Sequence, residues 1–414
     1  MSRIVAIFIF IAIFFALDFY VFQGFKVLVK KWIPSYNAIA LFFYWAIPAF
    51  LLAVIIIKVV WFSEVSKSTF FLFAYSILTA LFLAKFIWFI FLLTDDLIRL
   101  IRYTSDQLTK SNSMKSISRS EFIITIGFFF ASTLFGSLVY GIARGAHNYT
   151  VKKRRLPIKG LPKSFDGLRI VQISDVHSGS FWSKSSVQEG INMINNLKPD
   201  LFFFTGDLVN NVADEFDDFK EMFSQIDAKY GSFSVLGNHD YGDYVSWPNK
   251  EGVTKNENLI KLQKHHKELG WKLLMNEHHV IEKDGEKLAI LGVENWSAHR
   301  RFPKYGDLSK AIVGVETIQN KLLLSHDPSH WRAEILKKNP TIKAMFSGHT
   351  HGMQFGIDSK YYRWSPVKYQ YPEWVDMYSE NEQFLYVNRG FGYLGYPGRF
   401  GFLPEITSFE LVSV

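Results

Sequence analysis

The chain has 414 residues, a formal net charge of +8 and no cysteine. Its length predicts at least two structural units. The absence of cysteine excludes disulfides, thiolate metal ligands and cysteine nucleophiles from its chemistry. No aromatic and basic recognition motif accompanies the positive charge, so nucleic acid is not an expected partner. Anionic membrane lipid is the simpler expectation.

Four apolar stretches in the first third of the chain are long enough to cross a bilayer. They cover about residues 4–22, 38–62, 70–93 and 122–143, and a spanning helix needs about 20 mostly apolar residues. The first stretch lacks a small-residue cleavage site and leads into further spans, so we expect it to be retained. Residues 1–145 are therefore predicted to form an all-α transmembrane region with four helices, as in a multi-pass protein of the cell membrane.

Two charged residues, Asp18 and Lys85, fall within these stretches. Because charge is costly in hydrocarbon, they either line a polar interior or reach a nearby membrane face. The lysines and arginines of the short loops are nearly balanced between the two orientations and do not decide the topology. Residues 146–160 are interpreted as a basic juxtamembrane linker, which is either attracted to anionic headgroups or simply solvated.

From about residue 161 to 414, short apolar runs alternate with polar helical stretches, a pattern typical of an α/β domain. Strands are predicted at 168–173, 201–205, 232–236, 288–293, 321–325, 343–346, 384–387 and 406–411. Helices are predicted at 185–197, 214–226 and 258–269, and Asp284-Gly285 is predicted to form a hairpin turn. His265 and His266 lie in the polar third helix and are expected at the surface.

Five predicted strands end in side chains that can bind metals. In chain order these are Asp175 with His177, Asp207, Asn238 with His239 and Asp240, His326, and His349 with His351. Open α/β sheets place ligand sites at the carboxyl ends of their strands, so one site is expected to gather these residues. Mixed imidazole and carboxylate ligands suit Mn, Fe or Zn, which favours a transition-metal pair.

Each short motif alone is usually only a turn, but all five in this order rarely arise by chance. Together they resemble the calcineurin-like metallophosphoesterases, whose pattern is Asp-x-His, Gly-Asp, Gly-Asn-His-Asp/Glu, His and Gly-His-x-His. The resemblance covers about residues 160–414 and implies a four-layer α/β/β/α sandwich with two divalent metal ions at one edge. It implies one metal held by Asp175, His177, Asp207 and His351, and a second held by Asp207, Asn238, His326 and His349.

The same resemblance implies a mechanism in which a metal-bridging hydroxide attacks the phosphorus. His239 would contact the phosphate or protonate the leaving oxygen, with Asp240 orienting its ring; a structural role for His239 is the alternative. The tail is more loosely similar to the membrane-associated branch, which includes YkuE-like phosphoesterases and UDP-2,3-diacylglucosamine hydrolases. There, Arg389 or Arg399 would bind a second phosphate, or would anchor the loop.

An aromatic and basic segment at about residues 361–374 suits a membrane interface, although its rings could equally pack against the sandwich edge. These features predict a membrane-anchored phosphoesterase that cleaves a phosphodiester or pyrophosphate bond. The expected substrate is lipid-linked, such as UDP-2,3-diacylglucosamine or a phospholipid, and the active site is expected in the cytoplasm. The alternatives are a weakly active scaffold for partner proteins, against which the intact ligand set argues, and a membrane-tethered nuclease. The oligomeric state is left open.

Overall fold

The first part of the chain is helical, as its apolar stretches predict. The computed structural model describes residues 3–61, 69–108, 120–249 and 252–414. Its long helices are α1 (Arg3–Trp32), α2 (Asn37–Trp61), α3 (Thr69–Leu108) and α4 (Glu121–Ala143). Within these described ranges, all four are long and apolar enough to cross a membrane. Residue 62, the end of the second predicted stretch, lies outside the described residues.

Helices α1 and α3 continue well beyond the predicted apolar stretches. The first ends at Trp32 instead of about residue 22, and the third at Leu108 instead of about residue 93. The polar residues that follow each stretch, such as Gln23, Lys26 and Arg99, are good helix formers. Hydropathy therefore located the helices but not their ends.

The charged residues of the apolar stretches pair with each other inside the helical unit. The ammonium of Lys85 lies 2.7 Å from Oδ1 of Asp18, whose side chain is 1% exposed. The same ammonium lies 4.1 Å from the ring centre of Tyr44, and the Tyr44 hydroxyl donates to the Asp18 carbonyl at 2.9 Å. The two charged side chains therefore face each other within the helical unit, which fits a polar interior; the reach to a membrane face stays a prediction.

The chain divides into two units, one up to Tyr140 and one from Gly141. In the second unit the strands are β1 (Thr150–Ile158), β2 (Arg169–Ile173), β3 (Leu201–Phe204), β4 (Ser232–Ser234), β5 (Trp271–Leu273), β6 (Glu277–Lys283), β7 (Glu286–Gly292), β8 (Lys321–Leu324), β9 (Ile342–Ser347), β10 (Ile357–Asp358), β11 (Arg363–Trp364), β12 (Asp376–Glu380), β13 (Gln383–Val387) and β14 (Glu405–Ser413). Its helices are α5 (Lys184–Asn196), α6 (Lys220–Phe223), α7 (Lys255–Glu268) and α8 (Leu308–Ile312), with a π-helical turn at Trp331–Ile335.

The described strands build two mixed six-stranded sheets and a small hairpin, β10–β11. The first sheet has the order β1-β14-β2-β3-β4-β5, and the second has the order β12-β13-β9-β8-β7-β6. Ile191 of α5 packs on the outer face of the first sheet, and Phe203 meets Phe346 between the sheets. Leu323 and Trp331 belong to the core on the outer face of the second sheet. The predicted α/β/β/α sandwich is therefore confirmed.

All eight predicted strands are present, with ends that differ from the prediction by at most two residues. The predicted hairpin joins β6 and β7, and both Asp284 and Gly285 have positive φ, as a two-residue turn requires. The helix predicted at 214–226 is broken into a 3-10 turn, Ala213–Phe216, and the short α6. The two consecutive aspartates between these pieces are poor helix formers.

The segment interpreted as a linker, 146–160, instead contains an edge strand. Residues Thr150–Ile158 form β1, which pairs in parallel with β14. Leu156 and Ile158 are buried, whereas Lys153 and Arg155 are exposed. Because alternate residues of a strand face opposite sides, basic residues can occupy one side while apolar residues occupy the other. The run of four charges hid this alternation in the sequence.

Two histidines expected at the surface are buried. His265 and His266 of α7 are 2% and 0% exposed. Nε2 of His265 lies 3.2 Å from the Ala213 carbonyl oxygen, and Nδ1 of His266 lies 2.9 Å from Oγ of Ser234. Imidazoles can be buried when such hydrogen bonds satisfy their nitrogens. The prediction of a surface position, which relied on the polar composition of the helix, is therefore wrong.

Candidate metal centre

The potential metal ligands lie at the ends of strands from both sheets. Asp175, Asp207 and Asn238 follow β2, β3 and β4, which run parallel in the first sheet. His326 and His349 follow β8 and β9, which run parallel in the second. Parallel neighbours end at one edge of a sheet, so each sheet delivers its polar side chains to one place. The sequence-predicted residues are thereby brought together.

Two groups of ligand atoms result. Those of Asp175, His177 and His351 lie within 4.8 Å of one another, and so do those of Asp207, His326 and His349. In the first group, Nε2 of His177 lies 3.1 Å from Nε2 of His351, which is 3.2 Å from Oδ1 of Asp175. In the second, Nδ1 of His349 lies 3.3 Å from Nε2 of His326. Each group has the donors of a divalent-metal site.

Asp207, a member of the second group, also lies close to the first. Its Oδ2 is 3.1 Å from Nε2 of His326 and 3.6 Å from Nε2 of His177. Its Oδ1 accepts the backbone N–H of His239 at 2.8 Å, which fixes the carboxylate. This is the position that a ligand shared by two ions would need.

Asn238 provides a test of whether these residues fit a cation. Its amide nitrogen donates to the hydroxyl of Tyr244 at 2.8 Å. Its carbonyl oxygen is buried and has no hydrogen-bond donor among the described residues. Leaving a buried acceptor unsatisfied costs about 1–3 kcal/mol. A cation beside the oxygen would satisfy it, so the donor set fits the divalent metals that the chemistry predicts.

The backbone at the ligands is strained. Asp175, His177, Asp207, His349 and His351 all have φ between 47° and 72°. This left-handed region costs residues other than glycine about 1–3 kcal/mol each, and it persists where the surrounding structure enforces it. The surrounding structure therefore holds these residues in a strained backbone conformation that sets the direction of their side chains.

Two glycines allow the carboxylates to come close to the backbone. A Cβ at Gly348 would overlap the carboxylate of Asp175, and one at Gly237 would overlap that of Asp207. Any larger residue would have to displace a metal ligand. The glycines of the Gly-Asn-His-Asp and Gly-His-Thr-His-Gly motifs are thus required by close packing.

Electrostatics keeps most of the ligands ready to bind. Burial raises the pKa of Asp207, but the charges of His326 and His239 outweigh it and hold the pKa well below the usual range. Burial lowers the pKa of His177 well below its usual value and that of His349 to about 4. Ionised carboxylates and neutral imidazoles are the forms that bind metals.

His326 differs from His177 and His349. Burial lowers its pKa, but the charge of Asp207 and a hydrogen bond to it prevail and raise the pKa to about 10. A metal at this position would have to displace that proton. Metal binding should therefore release protons to the solvent.

His239 lies beside the first group. Its ring centre is 5.0 Å from that of His177 and 4.5 Å from that of Tyr244, and its side chain is half-buried. Nδ1 is 2.7 Å from the carbonyl oxygen of Asn210. The Asn210 carbonyl thus fixes the ring and leaves Nε2 for other partners.

The expectation that Asp240 orients this ring is wrong. The Asp240 carboxylate accepts the backbone N–H groups of Asp207 and Leu208 at 2.8 Å and that of Gly237 at 2.9 Å. It therefore shapes the turns that carry Asp207 and Asn238. The sequence placed Asp240 beside His239 in the chain, but the two side chains have different partners.

The structure also contradicts substrate binding by the two tail arginines. Arg389 is 2% exposed and pairs with Asp358 at 2.7 Å and Glu405 at 3.0 Å. Arg399 is fully buried, donates to the carbonyl of Gly392 and lies 3.0 Å from Nδ1 of His351. Both arginines instead anchor the loop, which was the alternative prediction, because their guanidinium groups bind neighbouring protein groups.

A cleft of about 200 Å³ opens over the ligands, and part of its lining was not foreseen. Arg301, Phe302 and Leu394 line it but belong to no motif and follow no predicted strand. A single sequence carries no signal for them. Only the folding of two loops over the sheet edge brings them to the cleft.

Tyr371 also lines the cleft and supports a ligand. Its hydroxyl lies 2.8 Å from Nε2 of His349 and 3.3 Å from Oδ2 of Asp327. Asp327 is fully buried. Partners of this kind fix the orientation of a metal-binding imidazole. The sequence pointed to the aromatic segment but not to this role.

The aromatic segment contains both exposed and buried rings. Tyr361, Tyr362 and Tyr369 are 90%, 55% and 74% exposed. Tyr371 and Trp374 are buried, at 3% and 7%. The outer rings are therefore available to a partner, whereas the inner rings pack against the domain.

Comparison with protein families matches both units. A family described as "Probable Calcineurin-like phosphoesterase, transmembrane domain" matches residues 2–146. A second, described as "Calcineurin-like phosphoesterase", matches residues 168–353. The second range contains every proposed metal ligand.

Two individual relatives are similar to this chain over about two thirds of its length or more. The transmembrane protein with metallophosphoesterase domain of Danio rerio is 30% identical over 282 residues, which is 66% of this chain and 60% of the relative. The metallophosphoesterase YkuE of Bacillus subtilis (strain 168) is 30% identical over 311 residues, 72% of this chain and 99% of YkuE. The similarity thus spans less than two thirds of the zebrafish protein but nearly all of the bacterial one.

Proposed function

Because this chain belongs to the calcineurin-like metallophosphoesterase family and is a membrane protein, we propose that it uses two divalent ions to hydrolyse a phosphodiester or pyrophosphate bond in a lipid-linked substrate. One observation carries the proposal. The carboxylate of Asp207 lies within 3.6 Å of an imidazole from each of the two groups of ligand atoms, and a half-buried His239 lies beside them at the cleft.

The ligands divide between two ions. Asp175, His177 and His351 would hold one, and Asn238, His326 and His349 the other, with Asp207 shared. Divalent ions there would polarise the phosphoryl oxygens and activate water for attack. The mixed imidazole and carboxylate donors suit Mn, Fe or Zn.

His239 would supply the proton that the leaving oxygen requires. Its Nδ1 is held by the Asn210 carbonyl at 2.7 Å, so Nε2 is the atom that would meet the substrate. Replacing it with Gln should lower kcat about 10²- to 10⁴-fold for an alkyl leaving group. The loss should be much smaller for nitrophenolate, which departs without a proton. Equal losses on both substrates would favour a structural role for His239.

Two features support a lipid-linked substrate. The chain carries four helices, in its described part, that can cross a membrane. Three exposed rings, those of Tyr361, Tyr362 and Tyr369, lie in the same segment as residues that line the cleft. Lys360 and Lys368 contact two of these rings. Tyrosine and lysine together suit the headgroup layer, where rings and stems are apolar and the tips are hydrated. The phosphate groups of a phospholipid or of UDP-2,3-diacylglucosamine lie in this headgroup layer.

We place the catalytic unit on the cytoplasmic side, because the resemblance to UDP-2,3-diacylglucosamine hydrolases implies the chemistry of lipid precursors. The loop charges do not distinguish the sides. Protease accessibility in inverted and right-side-out vesicles would test this part separately.

The first experiment measures UMP release from UDP-2,3-diacylglucosamine by the detergent-purified protein with Mn²⁺. Asn238→Ala should abolish release, and so should a chelator. Asn192→Ala changes an exposed asparagine of α5 and should leave release intact. Metal-dependent release that only the first variant loses would establish a lipid pyrophosphatase.

The other outcomes separate the alternatives. Cleavage of a chromogenic phosphodiester without UMP release would keep the metal mechanism but eliminate this substrate. Absence of hydrolysis of both substrates with several metals would favour a scaffold for partner proteins. Nucleic-acid binding that collapses as salt rises would favour a nuclease.

A further inference from the structure

The cleft contains one permanent positive charge that no motif explains. Among the described residues that line it, Arg301 is the one arginine, and no lysine accompanies it. It lies in the loop between β7 and α8, outside the strand ends that carry the metal ligands. It therefore contributes a charge that is separate from the ligand set.

Arg301 is positioned but not neutralised. It donates to Oε1 of Gln370 at 3.1 Å, and its guanidinium carbon lies 4.6 Å from the ring centre of Phe302. No carboxylate of the described ranges forms an ion pair with it, in contrast to Arg389, which has two. A planar guanidinium held by an amide and an aromatic ring has lost much of its freedom and keeps its full charge.

The depth of Arg301 distinguishes it from the ligands. The side chains of His177 and Asp207 are 0% and 2% exposed, whereas Arg301 is exposed at the opening of the cleft. Between the two levels stands Tyr371, whose hydroxyl meets His349. Arg301 therefore lies at the opening of the cleft, further out than the buried ligands.

We propose that Arg301 and Gln370 form a subsite for a second phosphate of the substrate, next to the phosphate that is hydrolysed. This inference rests on the proposed function, which allows either a phosphodiester or a pyrophosphate bond. A second phosphate beside the hydrolysed one favours the pyrophosphate. A phosphate bound at the buried ligands leaves Arg301 to meet an anionic group nearer the opening. Guanidinium binds phosphate oxygens with paired, charge-assisted hydrogen bonds. A substrate with a single phosphodiester offers no such group.

Equilibrium binding tests the subsite independently of catalysis. The full chain in detergent with Mn²⁺ is titrated with a dialkyl methylenebisphosphonate diester, whose P–C–P linkage cannot be hydrolysed, and with a dialkyl phosphate diester. We expect the first to bind roughly 10- to 100-fold more tightly, the range for hydrogen bonds to charged groups. Arg301→Gln should remove this preference, and Arg301→Lys should retain part of it.

Arg300→Gln is the matched control, because Arg300 is the exposed neighbour in the same loop and is not part of the cleft lining. This variant should keep the full preference. An equal preference in wild type and Arg301→Gln would overturn the subsite. An equal weakening of both ligands would instead place Arg301 on the hydrolysed phosphate and would also overturn it. Absence of hydrolysis would contradict the proposed function but leave this binding result interpretable.

Discussion

In the membrane unit, the buried carboxylate of Asp18 lies 2.7 Å from the ammonium of Lys85. In the catalytic unit, the buried carboxylates of Asp175 and Asp207 lie beside imidazole nitrogens of His351 and His326, at 3.2 Å and 3.1 Å. The first pair is electrically complete. The second arrangement combines carboxylates with several imidazoles, of which burial keeps His177 and His349 neutral, and it leaves the Asn238 oxygen unsatisfied.

The difference separates two uses of buried charge. A closed ion pair fixes how two helices pack and needs no further partner. An open cluster on a strained backbone is costly until a cation joins it, and such perturbed groups are typical of functional sites. Changing one charge in each unit should therefore affect stability in the first and chemistry in the second.

The largest effect is expected from Asp207→Asn. This change keeps the shape of the side chain but removes the charge that both metal positions share. Hydrolysis should fall by more than the roughly 100-fold that loss of an outer metal partner can cost, and bound metal should fall with it. Activity assays and elemental analysis of the purified protein measure both.

Asp218→Asn is the control for Asp207→Asn, because Asp218 lies in an exposed pair with Lys184. It should retain both metal and activity. Full metal content in Asp207→Asn would show that the carboxylate is not a ligand.

Lys85→Met tests the closed pair. It leaves the Asp18 carboxylate buried without its cation, which should destabilise the helical unit by about 3–5 kcal/mol. The double variant Asp18→Asn/Lys85→Met removes both charges and should recover most of this loss. Unfolding in mixed detergent measures the stability. Hydrolysis per folded molecule should stay unchanged, and an undiminished stability of the single variant would refute the structural role.

Asp327→Asn addresses the support of a ligand. The carboxylate contacts Tyr371, whose hydroxyl meets His349, so its charge helps to orient that imidazole. Metal affinity should weaken about 10- to 100-fold. The Mn²⁺ concentration that gives half-maximal activity is the measurement. An unchanged value, with a normal thermal midpoint, would assign Asp327 to packing alone.

The smallest effect is expected from His266→Gln, which removes a buried imidazole that is not part of the cleft lining. Burial lowers the pKa of His266 to about 3, whereas the unfolded value is about 6.5. The unfolded chain therefore binds the proton first as the medium becomes acidic. The stability contributed by the neutral ring is complete above about pH 6.5 and is lost progressively as pH falls towards 3.

The variant should lose less stability than wild type between pH 7 and pH 4. The difference should be at least about 1.4 kcal/mol, the equivalent of one pKa unit. Both proteins share every other titrating group, so subtracting their denaturation curves isolates His266. Parallel curves would show that burial does not suppress its protonation.

The sequence by itself determined the order of the motifs, the four apolar helices and the eight strands that precede or surround the ligands. These features depend on local properties: hydropathy over about 20 residues, short β-branched and aromatic runs, and glycines beside Asp207, Asn238 and His349. Each signal lies within a few residues of the structure that it predicts. For this reason the candidate ligand set could be proposed before any contact was known.

Only the tertiary structure decided which side chains meet. Asp18 contacts Lys85, and the Asp240 carboxylate accepts the backbone N–H of Asp207. Arg389 is buried beside Asp358, whereas Arg301 lines the cleft. Partners such as Asp18 and Lys85 are far apart in the chain, and no local pattern records their contact. Packing selects among many charged residues the few that are buried together, because each buried charge must find a partner or remain unsatisfied.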